Sequence, residues 1–141
     1  MRNWLAMKLV SRTMAALRTG DYGPTLRLDA DDVSMHFPGT ASWAGDYKGK
    51  AVLREWYERF VEIGLQIYPD DIMVKGWPWN MTMAVRGHIY LDDPAGARVY
   101  DNRYVIWGRL RWGKLAEYET YEDTQKSVAL DAHLGVSGTA A

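Results

Sequence analysis

No cysteine occurs in the chain. That one absence excludes disulfides, thiolate metal sites and cysteine nucleophiles together. Net charge is also nearly absent: seventeen Lys and Arg stand against eighteen Asp and Glu, a formal charge of −1. Such a balance gives no electrostatic footprint for nucleic acid or an anionic membrane; for nucleic acid a local basic patch stays open. Long apolar runs are missing as well. Nothing approaches the ~18 apolar residues of a membrane span. Arg2, Lys8 and Arg12 interrupt the opening turns before the ~7–15 apolar residues of a secretory leader accumulate. A cytoplasmic protein with neither a nucleic-acid nor a membrane partner is expected. Metal-binding patterns are lacking too. The three His are far apart, with no His-x-His or His-x3-His spacing. The run Asp29-Ala30-Asp31-Asp32 has no EF-hand spacing after it and reads as a solvated helix end. Gly45 and Gly49 lack the Lys-Ser/Thr of a phosphate-binding loop. No metal and no cofactor are expected. Only two Phe occur, against seven Trp and nine Tyr. Trp and Tyr join a large apolar body to one polar atom, which suits pocket walls and subunit interfaces as well as core filling.

What is present is a run of helices followed by a run of strands. The 141 residues have the length of one domain. Trp4, Met7, Val10, Met14 and Leu17 make the stripe of an amphipathic helix, and Gly20 stops it. Gly23-Pro24-Thr25 starts a second, short helix with Leu26 inward. Val33 to Phe37 reads as a strand, and 40–50 as a loop. Ala51 to Ile63 reads as a helix ended by Gly64. Beyond Gly64 the apolar period changes to two, which predicts strands near 65–75, 79–91, 98–111 and 114–123. Their turns fall at Asp92–Gly96 and Trp112-Gly113. A last helix spans about 124–134. This order predicts an α+β fold, helices on one face of an antiparallel sheet. The domain would occupy 1–134, with 135–141 a flexible tail of small residues.

Several strings together are similar to the SnoaL-like group of the nuclear transport factor 2-like superfamily. They are Leu17-Arg18-Thr19-Gly20-Asp21, Asp31-Asp32-Val33, His36-Phe37-Pro38-Gly39 and Ala44-Gly45-Asp46-Tyr47-Lys48-Gly49. Later ones are Asn102-Arg103-Tyr104-Val105, Gly113-Lys114-Leu115 and Tyr121-Glu122-Asp123-Thr124. The resemblance covers residues 5 to about 130. It implies a cone: a curved antiparallel sheet closed by about three N-terminal helices around a deep pocket. It also implies a homodimer through the outer sheet face. Members include ketosteroid isomerases, polyketide cyclases, epoxide hydrolases, dehydratases and proteins without catalysis, so function must be argued from the site.

Aligned on that pattern, the isomerase's base falls at Phe37 and its oxyanion pair at Thr13 and Ile106, so that chemistry is lost. The cyclase and hydrolase acid falls at Thr120, whose hydroxyl is no general acid near neutrality. The hydrolase Arg-x-Asp pair becomes Arg86-Gly87-His88. Positions i and i+2 share a strand face, so both side chains would enter the pocket together. His88 could then move a proton and Arg86 hold a developing negative charge. Alternatively, Arg86 pairs with an acid and His88 is a satisfied core or interface residue. His36 is a second catalytic candidate, although alternation sends His36 and Phe37 to opposite faces. Family parity puts Phe37, Asn102, Tyr104, Tyr118 and Thr120 at the pocket wall for substrate binding, with Trp79 at its mouth. The row Met81, Met83, Val85, Ile89, Leu91 on strand 79–91 is either the core face, with the parity reversed, or a dimer interface.

Three functions compete. The first is a cofactor-independent acid–base enzyme on an apolar oxygenated substrate: cyclase, dehydratase, isomerase or epoxide hydrolase. The second is a non-catalytic carrier or sensor of a hydrophobic small molecule. The third is a dimeric assembly module.

Overall fold

The computed structural model describes residues 2–136. The element order is α1 (Arg2–Arg18), α2 (Gly23–Leu28), β1 (Asp29–Phe37), β2 (Gly45–Lys48), α3 (Lys50–Ile63), β3 (Gln66–Trp77), β4 (Asn80–Asp92), β5 (Arg98–Arg111), β6 (Lys114–Glu122) and α4 (Thr124–Leu134). The fold is α+β. One six-stranded curved sheet runs in the order β2-β1-β6-β5-β4-β3. All pairings are antiparallel except β1 with β6, which is parallel.

The helices cover one face because each carries one apolar stripe. α1 buries Val10, Thr13, Met14 and Leu17. Trp4, at the top of the same sequence stripe, lies beyond the sheet's cover and is 63 % exposed. α3 buries Leu53, Tyr57 and Phe60, and Gly64 ends it at φ 88°. Only glycine adopts that left-handed geometry without cost. Fully burying a side chain of Leu or Phe size contributes about 1.5–3 kcal/mol, so these few positions hold each helix down.

Two sequence expectations change. The stretch read as a loop at 40–50 contains β2, whose Asp46 and Tyr47 pair with His36 and Met35 of β1. Four residues are too few to show a period. β1 begins four residues earlier than expected, at Asp29, so Asp29 is no solvated helix end but 1 % exposed. Of the tail expected from 135, Gly135 caps α4 at φ 73°, and 137–141 lie outside the described residues.

α4 is tied to the loop before β2. Buried Asp131 accepts from Ser42 N and Ser42 Oγ, both at 2.6 Å. Asp131→Ala would strand the Ser42 amide, and a bond to a charged acceptor is worth about 1.5–3 kcal/mol. Urea titration is expected to show a midpoint lowered accordingly, with the slope unchanged.

Candidate functional site

Between the sheet's hollow face and α1–α3 lies a cavity of about 120 Å³. Its wall is apolar, with Met14, Phe37, Trp56, Phe60, Val85 and Ile89 prominent. A smaller chamber of about 40 Å³ adjoins it, shares Phe37, Trp56, Phe60, Ile89 and Glu122, and adds Trp43 and Arg59. The cavity size is near that of engineered apolar cavities of roughly 150 Å³ that hold benzene. One ring or a short branched chain fits without side-chain movement.

The register explains what faces inward. Directly opposite residues of an antiparallel pair share a face. Ile89 lies opposite Asn102, Gly87 opposite Tyr104, and Val85 opposite Ile106. Asn102, Tyr104 and Ile106 point inward as expected, so Val85, Gly87 and Ile89 must as well. Arg86 and His88 therefore point outward, which reverses the expected parity of β4. The Met83, Val85, Ile89, Leu91 row is the core face. Turning Arg86 inward would bury a guanidinium and expose the apolar row, and both changes cost free energy. On the outer face Arg86 approaches Asp71 at 3.7 Å. His88 stacks on Tyr68 with ring centroids 5.0 Å apart, its Nδ1 2.9 Å from Asp70 Oδ1. His36 is also outside, paired with Asp46. The three expected catalytic residues are thus separated from the cavity.

The expected binding residues divide. Phe37, Tyr104, Tyr118 and Thr120 line the cavity. Thr13 and Ile106, the other positions of the lost isomerase set, do too. Tyr104 spends its hydroxyl on Tyr68 O at 2.9 Å. Asn102 is buried but is a brace: its amide donates to Tyr100 Oη and Asp123 O, and its oxygen accepts from Arg103 N and Asp123 N. Trp79 stands in the β3–β4 turn, 53 % exposed and away from the cavity.

Sequence reasoning missed three polar groups at the site. The Tyr57 hydroxyl, on α3, donates to Asp29 Oδ2 at 2.7 Å and lies 2.7 Å from the Tyr118 hydroxyl. Tyr57 and Tyr118 both line the cavity, with Asp29 behind them. Asp29 Oδ1 is buried without a hydrogen-bond partner among the described residues. Burial pushes the Asp29 carboxyl up to about 6, against the opposing pull of the Tyr57 bond. Burial likewise lifts both phenols above their ordinary range. They donate and relay hydrogen bonds but do not ionise near neutrality. The third group is Glu122, shared by both chambers. It accepts from Tyr100 Oη at 2.9 Å and from Ser127 Oγ, and burial raises its carboxyl too. Glu122 is two residues past Thr120 on the same strand face, so alternation alone would have found it. Asp29 had no such signal, because its burial depends on where α2 ends.

Fold and cavity together define an α+β domain whose curved sheet and helices enclose an apolar cavity. The chain belongs to the SnoaL-like domain family, whose model matches residues 10–118. Among solved structures it is similar to PrhC from Penicillium brasilianum, with TM-score 0.74 and 15% identity, covering 96% of this chain and 91% of that one. A nuclear transport factor 2-like protein of Burkholderia pseudomallei matches with TM-score 0.71 and 19% identity, covering 88% and 95%. The epoxide hydrolase/cyclase-like enzyme SalBIII, of pyran ring formation in the polyether salinomycin, matches with TM-score 0.68 and 17% identity, covering 89% and 97%. At such identities the likeness speaks for the fold. No curated protein matches.

Proposed function

We propose that this protein is a cofactor-independent acid–base enzyme acting on a small, apolar, oxygenated molecule by cyclisation, dehydration, isomerisation or epoxide opening. The observation that carries this reading is the hydrogen-bonded chain Tyr118–Tyr57–Asp29 at the cavity wall. With Asp29 ionised, Tyr57 donates to it and Tyr118 donates to Tyr57. A substrate proton taken up by Tyr118 Oη moves one phenolic proton to Tyr57 and another to Asp29, so a carboxylate behind the wall serves as base. Glu122, on another wall, holds a proton to higher pH than an ordinary carboxyl and can return one to the substrate. The SalBIII likeness supports the reaction class by analogy only.

The second reading is a non-catalytic binding protein. The apolar lining and the loss of family acids at Phe37 and Thr120 favour it. A homodimer through the outer face fits exposed Val105, Trp107 and Tyr121.

Proton–deuterium exchange at carbons beside the carbonyl of one-ring ketones, followed by NMR in heavy water, tests catalysis. Wild type is expected to exceed Tyr57→Phe by roughly 10²-fold, the lower range for a positioned acid–base group. A ketone that binds but exchanges no faster than in buffer would establish the binding reading instead.

A further inference from the structure

The even net charge conceals a segregated surface. α1 contains no acidic residue, and none occurs from Ile72 to Leu91 or from Asn102 to Ala116. Those three stretches meet at one end of the molecule. Asn3 Oδ1 accepts from Val74 N, and Arg2 donates to Gly76 O, which ties the first turn of α1 to the end of β3. Trp112 N donates to Pro78 O at 2.7 Å, joining the β5–β6 turn to the β3–β4 turn. On these two tips Trp77, Trp79 and Trp112 are 66 %, 53 % and 73 % exposed. They nevertheless contact one another, with centroids 5.7 Å and 6.1 Å apart. Exposed Arg2, Lys75, Arg111 and Lys114 stand on or beside these tips and make no ion pair among the described residues; Arg2 and Lys114 donate to the carbonyls of Gly76 and Arg27. Exposed Asp31 and Asp32 follow Asp29, which pairs with Leu115 next to Lys114, so these acids border the basic end on its β1 side.

A water-exposed indole cluster flanked by cations that lack ion-pair partners among the described residues suits the headgroup region of an anionic bilayer. Indole rings settle there, and each nearby cation adds attraction to lipid phosphate. We propose that this end of the molecule docks on anionic membrane surfaces, with Trp77, Trp79 and Trp112 at headgroup depth. An adjoining apolar cleft, walled by Leu5, Leu9 and Val74, shares Val10, Leu28 and Met83 with the internal cavity. Docking therefore puts a wall shared by cleft and cavity near the lipid, a route for an apolar ligand that rests on the pocket reading above; the docking itself does not.

Co-sedimentation with vesicles of phosphatidylcholine alone, and of equimolar phosphatidylcholine and phosphatidylglycerol, tests this. The protein is expected to bind the anionic vesicles and hardly the neutral ones. Lys75→Gln with Arg111→Gln should weaken binding on the order of 25-fold, roughly fivefold per charge. Trp77→Ser, Trp79→Ser and Trp112→Ser together should weaken it by more than about tenfold. All five positions are exposed, and circular dichroism verifies that the variants fold. Tyr57→Phe should bind vesicles like wild type, so the docking and the pocket chemistry fail independently. No binding to either vesicle, or equal binding to both, overturns the proposal. A dimer that dissociates on the triple Trp substitution, with no vesicle binding, overturns it and gives the patch to a second copy.

Discussion

Gly87→Ala is expected to abolish soluble folded protein or to cost about 3–5 kcal/mol, within the upper range of single substitutions. Gly87 is buried on the inner face of β4. A methyl group there would overlap the Tyr68 carbonyl oxygen and the Tyr104 hydroxyl, and come within 2.7 Å of Tyr104 Cζ. These are the two partners of a hydrogen bond that crosses the strand directly above the glycine. The carbonyl belongs to β3 and cannot retreat without breaking its pairing with β4, whereas the Tyr104 ring is held by the core. Overpacking of ordinary core sites costs about 1–3 kcal/mol because neighbours shift. Here one neighbour is backbone. Thermal unfolding of Gly87→Ala beside Gly108→Ala provides the comparison. The nearest atom at Gly108 is the flexible Leu115 Cδ1 at 3.0 Å, so its loss should be the smaller one.

Asp29→Asn should remove the proposed ketone proton exchange while leaving the protein at least as stable above pH 6. The sign follows from proton counting. In the folded state burial raises the Asp29 carboxyl from 3.8 to about 6. Between those values the folded protein binds more protons than the unfolded chain, so stability falls as pH rises and levels off above about 6. A raise of this size corresponds to about 3 kcal/mol. Asparagine escapes that penalty but places an amide where Oδ1 finds no partner, which returns about 1–2 kcal/mol. The net expectation is a gain of about 1–2 kcal/mol near neutrality and none at about pH 4. Paired denaturant titrations at the two pH values measure it. A variant less stable than wild type at neutral pH would show that ionised Asp29 holds the fold together, and the case for a functional carboxylate would weaken with it.

Much of the architecture was readable from the chain because burial here is periodic. Helices α1 and α3, the four long strands and the hairpin turns follow from spacing alone. The inner face of β5 was legible through the family resemblance, and Asn102, Tyr104 and Ile106 do alternate with exposed Asp101, Arg103 and Val105. β4 misled for a specific reason. The likeness of Arg86-Gly87-His88 to a family pair outweighed the opposite row of Met83, Val85 and Ile89, although only that row can be buried without partners. The strand register decides between them, and register is a long-range quantity. Asp29 was hidden among neighbouring aspartates, of which Asp31 and Asp32 are exposed. Tyr57 looked like one more apolar position on a helix face. The tryptophan cluster draws on two turns more than thirty residues apart, so no local window contains it.

The parallel pairing of β1 with β6 sets a timetable for synthesis. Met35 must wait for Tyr118, its partner across the ladder, and ~80 residues separate them in a contact order typical of slow folders. At about 5–20 residues per second the ribosome leaves the β1–β2 ribbon uncovered for several seconds. A two-stranded ribbon is marginal in water by itself, so Val33 and Met35 stay open to chaperones during that interval. Nascent chains arrested before Leu115 should therefore be cut by protease within the β1–β2 ribbon, and protection there should arrive when β6 emerges.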